Sequence, residues 1–135
     1  MTQRWLLKTE PAHYSFDDLV REGGTVWNGI TNALALMNLR SARKGDPVIV
    51  YHTANVKAAV GLARISTNPY RDPGSGDRKI VVVDLVPDRA FRRPVALADM
   101  KANRALAGFD LLRISRLSVV PVSEAHFRTI LGMAK

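Results

Sequence analysis

Cysteine is absent from the 135 residues, which excludes disulfides, thiol nucleophiles and cysteine-ligated zinc. No apolar run approaches the roughly 20 residues a membrane-spanning helix needs. The start, Met1-Thr2-Gln3-Arg4-Trp5, lacks the apolar stretch of a secretory signal. A cytoplasmic protein with no membrane partner is therefore expected. His13, His52 and His126 are scattered, and no pair has metal-ligand spacing. Phosphate loop, dinucleotide fingerprint and Gly-x-Ser-x-Gly elbow are all missing. Ser118 and His52, oriented by Glu10, can be imagined as a nucleophile and its base, but such a triad is defined by geometry alone. The expectation is a non-enzyme without metal or cofactor.

Acidic side chains are also scarce, 12 against 20 lysines and arginines. The imbalance is uneven. Residues 1–30 hold three basic and four acidic side chains, so the formal net charge of +8 arises wholly beyond them. Between residues 31 and 71, Arg40, Arg43, Lys44, Lys57, Arg64 and Arg71 face Asp46 alone. Such a charge suits a polyanionic partner, because each neutralised phosphate releases counterions. It is equally what a solvated, arginine-rich surface looks like.

The chain is long enough for one domain with its own core, taken as residues 1–135. Residues 4–9 read as a buried strand ended by Glu10-Pro11. Ser15 and Asp18 form a capping-box pattern for a short helix that closes near Gly23-Gly24. Thr31 or Asn32 can cap a second helix through about Ala42. Lys44-Gly45-Asp46 is a turn into a strand over 47–52, and residues 58–65 are its antiparallel partner, with Gly61 marking a bulge or a close approach. Residues 68–78 read as a loop. Residues 79–86, with four consecutive β-branched side chains from Ile80 to Val83, read as a strand stopped by Pro87. A helical turn over 97–101, a strand over 116–122 and a helix opened by Ser123 follow. Short strands interrupted by single short helices suggest an α+β chain built as a small mixed barrel.

Against this background the segment Val26-Trp27-Asn28-Gly29-Ile30-Thr31-Asn32 stands out. It sets a tryptophan on the shoulder of an Asn-Gly turn, where a π face beside amide groups suits a planar ligand such as a nucleobase. Trp5, in an apolar strand, reads as core. Lys8 and Glu10 differ by two positions and so share a face, where they either pair at the rim or present a cation and a carboxylate to a base edge. His52 is either a satisfied strand-end histidine or a ligand contact beside the aromatic surface of Tyr51.

Taken together, Trp5-Leu6-Leu7-Lys8-Thr9-Glu10-Pro11, the Trp27-Asn28-Gly29 turn ending in Asn32, Lys44-Gly45-Asp46 running into Tyr51-His52-Thr53, and Arg116-Leu117-Ser118-Val119 before Pro121-Val122 resemble, in this order, an EVE domain of the PUA-like superfamily. The likeness covers about residues 4–133. It implies a PUA-like small mixed β-barrel with flanking short helices and no cofactor. It also implies nucleic acid as partner, with a pocket for a modified base, in particular a modified cytosine in DNA. The alternatives are an RNA-binding module and, behind it, a small nucleotide-processing enzyme around His52 and Glu10; a monomer is expected. On this resemblance Trp27 would be the stacking platform, Tyr51 and His52 a second wall, and Thr53 and Asn32 polar contacts. Lys8, Thr9 and Glu10 would lie at the floor or mouth, and Ser115 and Arg116 would close one side and meet phosphate or base; the charge pattern, separately, points to Arg40, Arg43 and Lys44 for the nucleic-acid backbone. The chain departs from the family's usual Trp-Asp-Gly-Val-Arg-Asn turn by carrying Asn28 and Thr31 where Asp and Arg are expected.

Overall fold

The computed structural model describes residues 2–135. Strand β1 (Trp5–Thr9) opens the chain, followed by α1 (Phe16–Glu22), β2 (Thr25–Trp27), α2 (Ala33–Ser41), β3 (Pro47–His52), β4 (Ala58–Ile65), β5 (Tyr70–Arg71) and β6 (Val81–Ala96). Two short helices, α3 (Leu97–Ala102) and α4 (Asp110–Arg113), flank a single 3-10 turn, Arg104–Leu106. Strand β7 (Val119–Pro121) and helix α5 (Glu124–Met133) complete the order. One mixed sheet runs β2-β6-β4-β3-β1-β7, with β5 added on β6. Only β1 and β3 pair in parallel, with Trp5 opposite Val48 and Thr9 opposite His52. The sheet is curled into a half-barrel, the α+β PUA-like fold that the sequence pattern anticipates.

The local signals explain most elements. Ser15 accepts a hydrogen bond from the Asp18 backbone N–H, while the Asp18 carboxylate accepts from the Ser15 N–H, closing a capping box. Gly23, at φ 77°, ends α1 in the left-handed conformation that favours glycine. Asn32 is the N-cap of α2, its side-chain oxygen accepting from the Ala35 N–H at 3.0 Å. Helix α2 then reaches the sheet's far edge, where Asn38 Nδ2 donates to the Val119 carbonyl at 2.9 Å.

Four expectations need correction. Residues 68–78 are not loop throughout, because Tyr70 and Arg71 pair with Val82 and Val81 as β5. Pro87 does not stop β6, which continues to Ala96. Pro87 pairs with Ala63 while Arg89 pairs with Leu62, so Asp88 is bulged out, and a proline beside a bulge interrupts no regular ladder. The 116–122 strand shrinks to Val119–Pro121 because the Leu117 N–H donates back to Ile114 in a turn. Trp27 is not on a bare shoulder: Thr25–Trp27 is an edge strand on β6, with Trp27 opposite Val83.

Two contacts set the geometry of the core. Asp46 is buried at 4% exposure, yet its Oδ2 accepts from the Trp5 indole N–H at 3.0 Å and from the Arg43 backbone N–H at 2.8 Å. A buried carboxylate is tolerated when it is hydrogen-bonded in this way, and here it locks the turn before β3 onto β1. The second contact is Phe16, whose ring tip lies over Gly61. A Cβ at Gly61 would come within 2.6–2.8 Å of the ring carbons. Around this point Val50 pairs with Gly61 and Tyr51 with Ala59, so Val60 is an extra residue in β4. The Phe16 backbone N–H also donates to His52 Nε2 at 3.0 Å.

That hydrogen bond requires Nε2 to be unprotonated. Desolvation lowers the His52 pKa, and the nearby Asp17 charge opposes the shift only in part. The unfolded chain therefore binds more protons than the folded one just below the ordinary imidazole value of about 6.5. Stability should be fully present above pH 6.5 and decline as the pH falls through the lowered pKa. Thermal melts between pH 7.5 and 5 should show this decline, and His52→Gln should flatten it; an unchanged slope in that variant would assign the effect elsewhere. Gly61→Ala should destabilise by about 1–3 kcal/mol, the usual cost of overpacking, measured by urea unfolding.

Candidate nucleic-acid interface

Strand β2 is one edge of the sheet and β1 lies beside the other edge, β7, with β6, β4 and β3 between them in the ladder. Even so, Lys8 and Thr9 from β1 and Thr25, Val26 and Trp27 from β2 line one concavity of about 520 Å³. The curl of the sheet brings them together. The walls are completed by Glu10, His13 and Tyr14 after β1, by Asn28, Gly29 and Ile30 after β2, and by Ser118 before β7. The volume lies within the roughly 300–1,000 Å³ of small-molecule sites.

Each wall is held by its own hydrogen bonds. The Thr9 hydroxyl donates to the Tyr14 carbonyl at 2.7 Å, fixing the loop between β1 and α1. Tyr14 donates its hydroxyl to Glu22 Oε1 at 2.7 Å and meets Trp27 edge to face, with centroids 6.1 Å apart and planes at 82°. Burial and the Glu22 hydrogen bond raise the Tyr14 pKa, so it remains a neutral phenol. Trp27 is only 6% exposed. It is a wall of the cavity packed into the core, and this burial leaves little of the open surface a stacking platform would need. Glu10 pairs with His13, Oε2 to Nδ1 at 3.4 Å, at the exposed rim.

Lys8 stands between this concavity and a second, smaller one. Its Nζ donates to the Ser115 carbonyl at 2.8 Å, and burial lowers its pKa. The smaller cavity, about 190 Å³, is lined by Lys8, Tyr51, Thr53, Ala54, Lys57 and Ser115 among others. The predicted site residues are thus divided. Trp27, Lys8, Thr9 and Glu10 line the large concavity, while Tyr51, Thr53 and Ser115 line the small one. Tyr51 is itself core, 4% exposed, and burial raises its pKa.

Six predicted residues lie elsewhere or are engaged. His52 lines neither cavity, and its Nε2 lone pair is taken by the Phe16 N–H, which removes that nitrogen as a base for Ser118. Asn32 spends its side-chain oxygen on capping α2. Arg43 donates to the Arg40 and Ala42 carbonyls at the end of α2, and Arg40 to the Lys79 carbonyl. Arg116 and Lys44 are exposed on turns. His13, Tyr14, Thr25, Val26, Asn28, Gly29, Ile30 and Ser118 were not anticipated as lining residues. Only the neighbours of Trp27 carried a sequence signal; the rest arrive by the curl. The two unusual turn residues also part company: Asn28 faces the large concavity, whereas Thr31 lines a separate hollow with Arg40, Asp77 and Lys79.

Known proteins share this architecture. A solution structure of a Rhodopseudomonas palustris protein is 36% identical, with a TM-score of 0.93 over 98% of this chain and 93% of its own. A crystal structure from Agrobacterium tumefaciens is 32% identical, with a TM-score of 0.95 over the same shares. Human thymocyte nuclear protein 1 is 26% identical over 98% of this chain and 74% of its own length. Its structure in complex with 5-methylcytosine-containing DNA superposes with a TM-score of 0.92 over 99% of this chain and 98% of that one, at 24% identity. The EVE domain profile matches residues 3–133, and the chain belongs to the EVE domain family.

Proposed function

We propose that this chain is a nucleic-acid-binding module without catalysis that holds a base, modified cytosine in DNA above all, in the concavity between β1 and β2. The observation that carries the reading is the seam itself, where two ends of one sheet meet around Lys8, Thr9, Trp27, Asn28 and Ser118. Its walls mix apolar surface with donors and acceptors, the composition a base extruded from its stack requires. Ile30 and Trp27 supply apolar wall for a methyl substituent. Thr9, Asn28 and Ser118 offer groups for a polar edge, and Asn28 both donates and accepts where the carboxylate usual in this family could only accept. Lys8 supplies the cation, tethered to Ser115 and partly desolvated, so a charge-assisted hydrogen bond to a ligand oxygen costs it little further desolvation. The human relative bound to 5-methylcytosine DNA and the formal charge of +8 support the same choice of partner.

The burial of Trp27 changes how the reading is tested. Trp27→Ala should cost about 3–5 kcal/mol of stability, as large-to-small core changes do, and would confuse folding with recognition. Lys8→Met keeps the side-chain stem and removes the charge together with the Ser115 hydrogen bond, so matching thermal melts accompany it. Short duplexes carrying cytosine, 5-methylcytosine or 5-hydroxymethylcytosine, and matching RNAs, should be titrated against both proteins. A preference for a modified DNA base is expected, with Lys8→Met weakening binding roughly tenfold or more, the worth of a charge-assisted hydrogen bond. Equal affinity for every duplex would reject the pocket reading and leave a backbone binder, while preference for RNA would move the partner class.

A further inference from the structure

Away from the concavities described above, a further cavity of about 360 Å³ lies between the far half of β6 and the end of α5. Its rim carries Arg89, Arg92 and Arg128 around the apolar Phe91 and Leu131. We propose that this groove is a separate binding site for the phosphodiester backbone of nucleic acid. The inference rests on the nucleic-acid partner proposed above, and on nothing about the base in the pocket.

The backbone builds the groove in an unusual way. Ala59 pairs with Val95 and Gly61 with Ala90, so residues 91–94 of β6 stand opposite Val60 alone. A bulge of this size re-aims side chains. Phe91 turns inward and is 9% exposed, while Arg92, Arg93 and Pro94 are thrown outward. The Arg93 backbone N–H donates to the Ala134 carbonyl at 3.1 Å, so the bulge and the end of α5 form rigid opposite walls. Between them lies a trough with an apolar floor, suited to sugars, and guanidinium groups on its rim, suited to phosphates.

Arg89 and Arg92 on this rim are uncommitted, whereas Arg128 is already paired with Glu124. Among the described residues, the arginines in ion pairs are Arg21, Arg113 and Arg128, the last with Glu124. Arg89, Arg92 and Arg93 have no carboxylate within 4.0 Å. Arg40 and Arg43, the arginines that the charge pattern first suggests for phosphate contacts, instead donate to backbone carbonyls. A simpler reason for the cluster would be compensation of the C-terminal end of the α5 dipole. That end is equivalent to only about half a negative charge, less than one of the guanidinium groups beside it. No acidic side chain lines the groove.

The test is the salt dependence of binding to an unmodified duplex and to the same duplex carrying 5-methylcytosine. Arg89→Gln with Arg92→Gln should lower the slope of log affinity against log salt by about 1.8, the counterions of two phosphates. The loss should be the same for both duplexes, leaving their affinity ratio unchanged. Arg71→Gln with Arg78→Gln removes the same charge from exposed positions outside the groove and should leave the slope nearly intact. An unchanged slope in the first variant, or an equal fall in both, overturns the groove. A missing preference between duplexes would reject the base pocket instead, so the two ideas fail separately. Matching thermal melts exclude loss of folding at these exposed residues.

Discussion

Phe16 lies with its ring tip on the bare backbone of Gly61 and with its own N–H on His52 Nε2, so one residue ties α1 to two strands at once. That double anchor fixes where α1 begins. The start of α1 fixes the preceding loop, and the loop brings Glu10, His13 and Tyr14 to the concavity. Tyr14 then meets Trp27 edge to face. A chain of close contacts therefore links the middle of the sheet to the wall of the site. A side chain larger than hydrogen at residue 61 would strain the first link, because buried interiors pack too tightly to absorb a displaced ring.

The buried Asp46 plays a comparable part on the other side. By accepting from both Trp5 and Arg43, it keeps the parallel pair of β1 and β3 in register. Lys8 and Thr9 stand at the far end of that pair, so their position depends on it. The core and the site are one construction, with few residues serving the ligand alone.

Much of the fold was legible because its signals are local. Ser15 with Asp18 predicts a capped helix, Gly61 a bulge or close approach, and Asn32 a helix start, and each is found. Trp5 as core follows from its apolar strand. Pro87 misled because a proline normally ends a strand, and the bulge that accommodates it depends on the register of β4, which a linear reading lacks. Strand β2 was missed because three residues, Thr25–Trp27, carry no alternation long enough to detect. The site was less legible for a related reason. Trp27 and Lys8 could be singled out, but Tyr14, Ser118 and Thr25 become their neighbours only when the sheet curls. His52 shows the converse: the resemblance made it a ligand wall, whereas the reading of a satisfied strand-end histidine is the one found, with the Phe16 N–H on its Nε2.

The seam between β1 and β2 is not bridged by a hydrogen-bonded ladder. Its width accumulates from four successive strand spacings around the curl, each about 4.8 Å in the hydrogen-bonding direction. Small errors in each spacing therefore add, as tolerances do in a chain of machined parts, and the curl carries them to the opening. Helix α2, which follows the Trp27 turn and grips the Val119 carbonyl through Asn38, is the brace that limits this play. Its exposed Leu34 and Met37 line neither cavity, whereas an exchange at Asn38, which also lines neither, would cut the tie that holds α2 to β7.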